Sequence, residues 1–290
     1  MNKINYSLVE LVREKRPLVH CITNYVTAQD VANIILACGG SPFMADHPEE
    51  TAEITALCNC LLLNTGTIKE NSKEAMIRSG REANRFMHPV ILDPVGCGAS
   101  RQRIQIILSI IREIKLTVIR GNVSEITYLL SALTNGFANP SRGVDADFSD
   151  EINEDSLIPF IEKAKALSAV TGAIVVMTGK TDIVTTRQET WLIRNGCSMM
   201  SRITGSGCML DGVIAAYVAS ISDSNGKIQQ NLLLEAVALA TAATGLCGER
   251  ALEKIKKIQG GCGTFRCYFM DEFSMLKESI LKEGANIEIW

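Results

Sequence analysis

Residues 203–210 read ITGSGCML: two glycines flank a serine, a cysteine follows, and a long apolar stretch begins. Glycine lets the backbone turn without steric cost and come close to a ligand. The free N–H groups of the following helical turn point outward, and the helix dipole favours negative charge there. Gly205, Ser206, Gly207 and Cys208 therefore form a candidate cradle for an oxyanion or a phosphoryl group in transfer. A cysteine at such a helix start is expected to have a lowered pKa and to be able to act as base or nucleophile. A tight turn carrying a packed thiol is an equally good reading of the same letters.

Acidic and basic groups recur at similar places. Asp93 ends the apolar run PVILDP, and Pro94 biases it toward an extended backbone that presents the carboxylate at a strand end. Glu125 lies five residues after Arg120 in RGNVSE. A carboxylate pair can hold Mg²⁺ through waters and phosphate oxygens, and an arginine beside it can neutralise a polyphosphate. For Glu125 alone, an acid complementing a helix N-terminus is a strong alternative. Asp211, inside the helix after GSGC, reads as structural. TGKT at 178–181 resembles the end of a P-loop, but the required earlier glycine is Ile174, and TDIVTT reads as strand. Lys180 is then a solvated turn residue. His20, His47 and His88 fall in no ligand-like cluster and receive no catalytic role.

These residues need a frame to bring them together. PLVHCI (17–22), SPFMA (41–45), CLLLNTG (60–66), PVILDP (89–94), LTVIRG (116–121) and AIVVMTG (173–179) read as strands. Helices are predicted over 27–38, 47–58, 69–87, 101–114, 123–133 and from about 155 to 170. This alternation predicts βαβ units and a parallel sheet, and the unbroken apolar runs predict strands covered on both faces. TDIVTT and ETWLIRNG alternate and predict antiparallel strands at one edge. After Gly205 the chain turns helical, near 207–221, 229–250 and 271–283. Residues 134–152 are rich in Gly, Pro, Asn and acids and predict a loop or insertion. In an open α/β sheet, ligands bind beyond the carboxyl ends of the strands. Asn24, Met44, Asn64–Thr67, Asp93–Gly96, Arg120–Asn122, Thr178–Gly179 and Thr204–Gly205 all fall there. Turn formation alone explains any one of these sites. So many chemically capable residues at one end favour a shared site.

Composition narrows the function classes. The 290 residues suit one α/β domain, 1–290, with 47% apolar and 21% charged residues. The net charge is −3 and the 29 basic residues form no run, so neither nucleic acid nor an anionic membrane is an expected partner. No signal peptide is expected at the N-terminus, and no membrane span in a chain whose most apolar late stretch is broken by Glu235. Ten cysteines, mostly in apolar runs and without CxxC spacing, fit reduced thiols in the cytoplasm.

VHCITNYVT (19–27), GGSPFMA (39–45), LNTGT (63–67), PVILDPVGCGAS (89–100), VIRGNVSEI (118–126), VVMTGKTDIVT (175–185) and ITGSGC (203–208) together resemble the hydroxyethylthiazole kinases in order and spacing. The resemblance covers nearly all of the chain to about residue 250. It implies a three-layer αβα ribokinase-like fold, mostly parallel with antiparallel edge strands. The implied activity is ATP- and Mg²⁺-dependent phosphorylation of the primary hydroxyl of 4-methyl-5-(2-hydroxyethyl)thiazole, a salvage step for thiamine biosynthesis. By the same resemblance Met44 and Gly205 contact the thiazole with Asn24 close by, Arg120 and Thr178 bind ATP, and Asp93 and Glu125 organise Mg²⁺. Gly205 to Cys208 form the anion hole, and Cys208 lies beside the substrate hydroxyl where many relatives carry aspartate. Cys208→Asp is then expected to keep or raise activity. Family members are similar in being homotrimers with sites at subunit contacts. The rivals are a pyrimidine or pyridoxal kinase, a cysteine hydrolase and a non-catalytic binding protein. The first is opposed by Cys208, and the second by the shortage of a placed histidine.

Overall fold

The computed structural model describes residues 4–69, 71–134, 157–223 and 227–290. Its strands are β1 (Leu18–Ile22), β2 (Ser41–Met44), β3 (Cys60–Asn64), β4 (Val90–Asp93), β5 (Val118–Asn122), β6 (Ile174–Thr178), β7 (Asp182–Thr185), β8 (Thr190–Ile193) and β9 (Ile287–Ile289). They form one sheet in the order β2-β1-β3-β4-β5-β6-β7-β8-β9. Pairings from β2 through β6 are parallel, and those from β6 through β9 are antiparallel. The expected parallel sheet with an antiparallel edge is therefore present.

Both faces of this sheet are covered, which is why β3 reads CLLLN with every residue buried. One face packs under α1 (Leu8–Lys15), α2 (Ala28–Cys38), α8 (Ser206–Ser220), α9 (Gln230–Lys257) and α10 (Cys262–Met275). The other carries α4 (Ser72–Arg85), α5 (Arg101–Glu113), α6 (Val123–Thr134) and α7 (Leu157–Thr171). Two helices sit at the margins: α3 (Thr51–Leu57) lies against α4, and α11 (Glu278–Gly284) against α9. The arrangement has three layers, α, β and α.

Local sequence explains several element ends. Ser100 caps α5 by accepting the Arg103 N–H at 3.2 Å. Gly39, at φ 99°, ends α2, and the amides of Gly39 and Gly40 return to Leu36 and Ile35. Some expectations need correction. The segment near 271–283 is two helices, α10 and α11, parted at Leu276. The helix near 229–250 continues to Lys257, and the one over 47–58 shrinks to Thr51–Leu57. Helix α1 and strand β9 had no predicted counterpart. The expected loop at 134–152 lies, beyond Thr134, outside the described residues. Helix α9 is long and apolar enough to cross a membrane by composition, but 78% of its apolar window is buried inside the protein. Its apolar surface is core. All ten cysteines are free thiols, as expected.

Candidate active site

The site lies where β1, β3, β4, β5 and β6 end. Asn64 and Asp93 are the last residues of their strands and are register partners. Thr178 closes β6 opposite Asn122, and Arg120 lies opposite Val176. Above them, helix α8 begins. Its N-cap Gly205 has φ 82°, and a Cβ there would lie 2.6 Å from Thr27 Cγ2. Glycine is required on both counts. The amides of the first turn of α8 have no partner within the helix and face outward.

Cys208 sits inside a polar shell. The side-chain amides of Asn24 and Asn64 donate to its sulfur at 3.4 and 3.3 Å, and Asp93 Oδ2 lies 3.8 Å away. Asn64 Nδ2 also donates to Asp93 Oδ2 at 2.7 Å, and Asn24 Nδ2 to Asn64 Oδ1 at 3.1 Å. The lowered thiol pKa expected at a helix start is not found. Burial, then the charges of Asp93 and Asp211, push the Cys208 thiol up to about 12. Desolvation and two acids outweigh the helix dipole and the amide donors.

Arg120 lies under the glycine turn. A Cβ on Gly207 would come within 2.2 Å of Nη2 and 2.5 Å of Nη1. The guanidinium is 3.5 Å from Asp93 Oδ2 and 3.9 Å from Asp211 Oδ1, and Nη2 donates to Thr178 Oγ1 at 3.3 Å. Burial would lower its pKa, but Asp211, then Asp93 and Glu125, hold it above the usual arginine value. Glu125 receives the amides of Gly96 (2.8 Å) and Asn122 (2.9 Å) on its two oxygens. Burial and Asp93 raise its pKa, and burial and Asp211 raise that of Asp93.

A cavity of about 800 Å³ opens on the Arg120 side of the turn, bordered by Thr178, Lys180, Asp182, Ser206 and Gly207 and by Gly245 of α9. The first turn of α8 thus separates two spaces: the polar shell of Cys208 and this cavity. Asn24, Asp93, Arg120, Glu125, Thr178 and the 205–208 turn come together as the sequence implied. Met44 ends edge strand β2, beside β1, and stands 39% exposed. Asp211, read as structural, is fully buried where α8 turns it toward Arg120. Lys180 is an exposed turn residue that also borders the cavity. TGKT enters the β6–β7 hairpin and opens no helix, as expected. Two further contributors lacked a sequence signal. Asn64 stood out only as one of many strand-end residues. Arg103 reaches back from α5 to the carbonyls of Thr65, Gly66 (3.3 Å) and Val95 (3.2 Å), tying the β3 and β4 loops together.

The carboxylate oxygens here suit a hard divalent cation, whereas the protonated Cys208 thiol does not. Asp93 Oδ1 and both oxygens of Asp211 are buried without a hydrogen-bond partner, and one ligand atom each from Asp93, Cys208 and Asp211 lies within 4.8 Å of the others. Glu125 is outside that group of three.

The family model described as "Hydroxyethylthiazole kinase family" matches residues 9–279. The chain is 45% identical over 280 residues to the hydroxyethylthiazole kinase of Clostridium acetobutylicum, covering 97% of each. It superposes on the structure of the hydroxyethylthiazole kinase protein of Pyrococcus horikoshii OT3 with a TM-score of 0.83, at 27% identity and 98% coverage of both chains. A ribokinase-like superfamily protein of Enterococcus faecalis shares the fold at a TM-score of 0.57, with 14% identity and coverage of 92% of this chain and 95% of that one. The fold is thus the three-layer ribokinase-like one, and by its matched length and identity the chain belongs to the hydroxyethylthiazole kinase family.

Proposed function

We propose that this chain, acting as one kinase unit over 1–290, transfers the γ-phosphoryl group of ATP to the primary hydroxyl of 4-methyl-5-(2-hydroxyethyl)thiazole in thiazole salvage for thiamine biosynthesis. The observation that carries the reading is the first turn of α8, whose amides lie between the Cys208 shell and a cavity that Arg120 borders. The cavity suits a nucleotide, with Arg120 and Thr178 on its phosphates. Mg²⁺, which Asp93 and Glu125 would hold through waters, would supply charge neutralisation on the phosphates when bound.

In the reaction the alcohol oxygen bonds to the γ-phosphorus as the bond to the bridging oxygen breaks, and that electron pair leaves with ADP. Transition states of this kind are loose, so orientation and charge do most of the work. The amides of Gly205 to Cys208 meet the equatorial oxygens, and Arg120 offsets charge on the leaving group. A thiol at about 12 is protonated at neutral pH and is a poor proton acceptor. Cys208 therefore chiefly positions the hydroxyl, whose proton departs late with the phosphate product.

Asn24, Gly205 and Met44 are assigned to the thiazole. Met44 and Phe43 at the sheet edge, with Tyr25 and Val26 after β1, are exposed apolar side chains suited to a subunit contact in a homotrimer. The free thiols suit a cytoplasmic enzyme. ADP release measured with hydroxyethylthiazole, hydroxymethylpyrimidine and pyridoxal tests the reading. Turnover is expected with the thiazole, and turnover only with the other two would overturn the substrate assignment.

A further inference from the structure

TGKT at 178–181 opens no helix, yet it carries two side chains onto the cavity of about 800 Å³. Thr178 Oγ1 accepts from Arg120 Nη2 and donates to the Gly121 carbonyl oxygen, each at 3.3 Å. Lys180 borders the same cavity two residues later. The backbone beneath it is held on both sides. Gly179 donates its amide to Asp182 Oδ1 at 2.9 Å, and Arg194 Nη1 donates to Thr181 Oγ1 at 3.4 Å. Strands β6 and β7 pair as far as Met177 and Ile183, so the turn between them is short. The lysine side chain is exposed, and among the described residues it has neither an ion pair nor a hydrogen bond.

An exposed lysine without a partner is common. The charges around this one set it apart. Arg120 and Lys180 are the cations bordering the cavity, and Asp182 is the acid. Arg120 already faces two buried acids, Asp93 at 3.5 Å and Asp211 at 3.9 Å, so much of its charge is offset before any ligand arrives. Asp182 turns one oxygen to the Gly179 amide, and burial pushes its carboxyl up to about 7, leaving it only part of a negative charge at neutral pH. Lys180 is then the cavity's cation that no neighbouring acid offsets. Ser206 and Gly207, from the first turn of α8, border the same space. A polyphosphate brings several negative charges to that space, and a compact ammonium on a flexible stem suits them.

We infer that Lys180 is a phosphate-binding residue: its ammonium contacts the phosphates of a nucleotide in this cavity, so that affinity for ATP, but not for the bare nucleoside, depends on the charge at 180. The inference rests on the kinase reading above and adds a residue to the nucleotide half of that site.

The test compares Lys180→Met and Lys180→Arg with wild type in the full chain. ATP binding is measured by calorimetry at low and high salt, and KM for ATP and for the thiazole in a coupled ADP assay. Inhibition by adenosine and the thermal midpoint are measured alongside. Lys180→Met is expected to weaken ATP binding and raise KM for ATP on the order of tenfold, the low end for a charge-assisted contact because the lysine is exposed. Its ATP binding should also depend less on salt. Lys180→Arg should bind ATP close to wild type. Adenosine inhibition, KM for the thiazole and the thermal midpoint should not change in either variant. Unchanged ATP binding in Lys180→Met would overturn the inference. So would an equal loss for ATP and adenosine, or a Lys180→Arg protein as weak as Lys180→Met. Wild-type protein that binds ATP but phosphorylates no alcohol would instead overturn the kinase reading, and the calorimetric comparison would still decide the role of Lys180.

Discussion

Gly207 and Cys208 are neighbours with opposite tolerances. A methyl group on Gly207 would meet the Arg120 guanidinium at 2.2 Å. That group is held against the buried Asp93 and Asp211, so displacing it should lower the thermal midpoint of Gly207→Ala. A shift of Arg120 by about an ångström should also lower kcat on the order of 10²-fold in a coupled ADP assay. Near-wild-type turnover would exclude Arg120 from the phosphates. Cys208→Ala removes a positioning thiol that stays protonated at neutral pH, and should slow turnover by only about tenfold to 10²-fold. The shell around the sulfur also changes the outlook for Cys208→Asp. A carboxylate there joins Asp93 and Asp211 within a few ångströms, so activity that survives should come with a lower thermal midpoint. The residues that announced themselves in sequence were those ending apolar runs, such as Asp93, or breaking them with glycine, as at 205–208. That Asp211 meets Arg120 had no local mark in sequence, since the two lie 91 positions apart and only the packing of α8 over β5 brings them together.

Elements fix how far such residues can move. Gly245 lets α9 approach the chain near β8 so closely that a Cβ would lie 2.4 Å from the Asn195 carbonyl oxygen. Alanine favours helices over glycine by about 1 kcal/mol. Here the obstacle is backbone, so overpacking of about 1–3 kcal/mol should win. Gly245→Ala should lower the urea midpoint and weaken ATP binding, since this residue borders the cavity. The β6–β7 turn carries a titrating group. Asp182 Oδ1 accepts the Gly179 amide at 2.9 Å, and burial pushes the carboxyl from 3.8 up to about 7. Folding then favours the protonated form. The stability this contributes is complete below the unfolded value and is lost as pH rises through about 7. Between about pH 5 and pH 8, wild type should lose unfolding free energy relative to Asp182→Asn. Parallel profiles would refute the assignment. The parallel strands were legible because runs such as LLL and VIL suit only a sheet covered on both faces. Helix α1 was not, since its Glu, Arg and Lys obscure the three buried positions Leu8, Val9 and Val12. Strand β9 has three residues and owes its existence to β8, about a hundred positions away, so no local pattern could reveal it.

At the scale of the molecule, the two sheet edges differ. The β9 edge ends the antiparallel ribbon, whereas β2 leaves Phe43 and Met44 each 39% exposed, and the chain after its neighbour β1 leaves Tyr25 71% and Val26 56% exposed. Light scattering should report three copies per particle. Tyr25→Asp with Phe43→Asp should yield monomers with a raised KM for the thiazole and unchanged ATP binding. A monomeric wild type would remove the trimer proposal. The layer order was readable from the alternation of elements, but this patch was not, since exposure of an aromatic becomes visible only once its neighbours are in place. The first turn of α8 has one more consequence. It has the Cys208 shell on one side and the Arg120 cavity on the other, so under the proposed function both reactants are bound at once and the phosphoryl group passes directly between them. Initial-rate plots against both concentrations should converge and not run parallel, and no phosphorylated protein should accumulate when ATP is supplied alone.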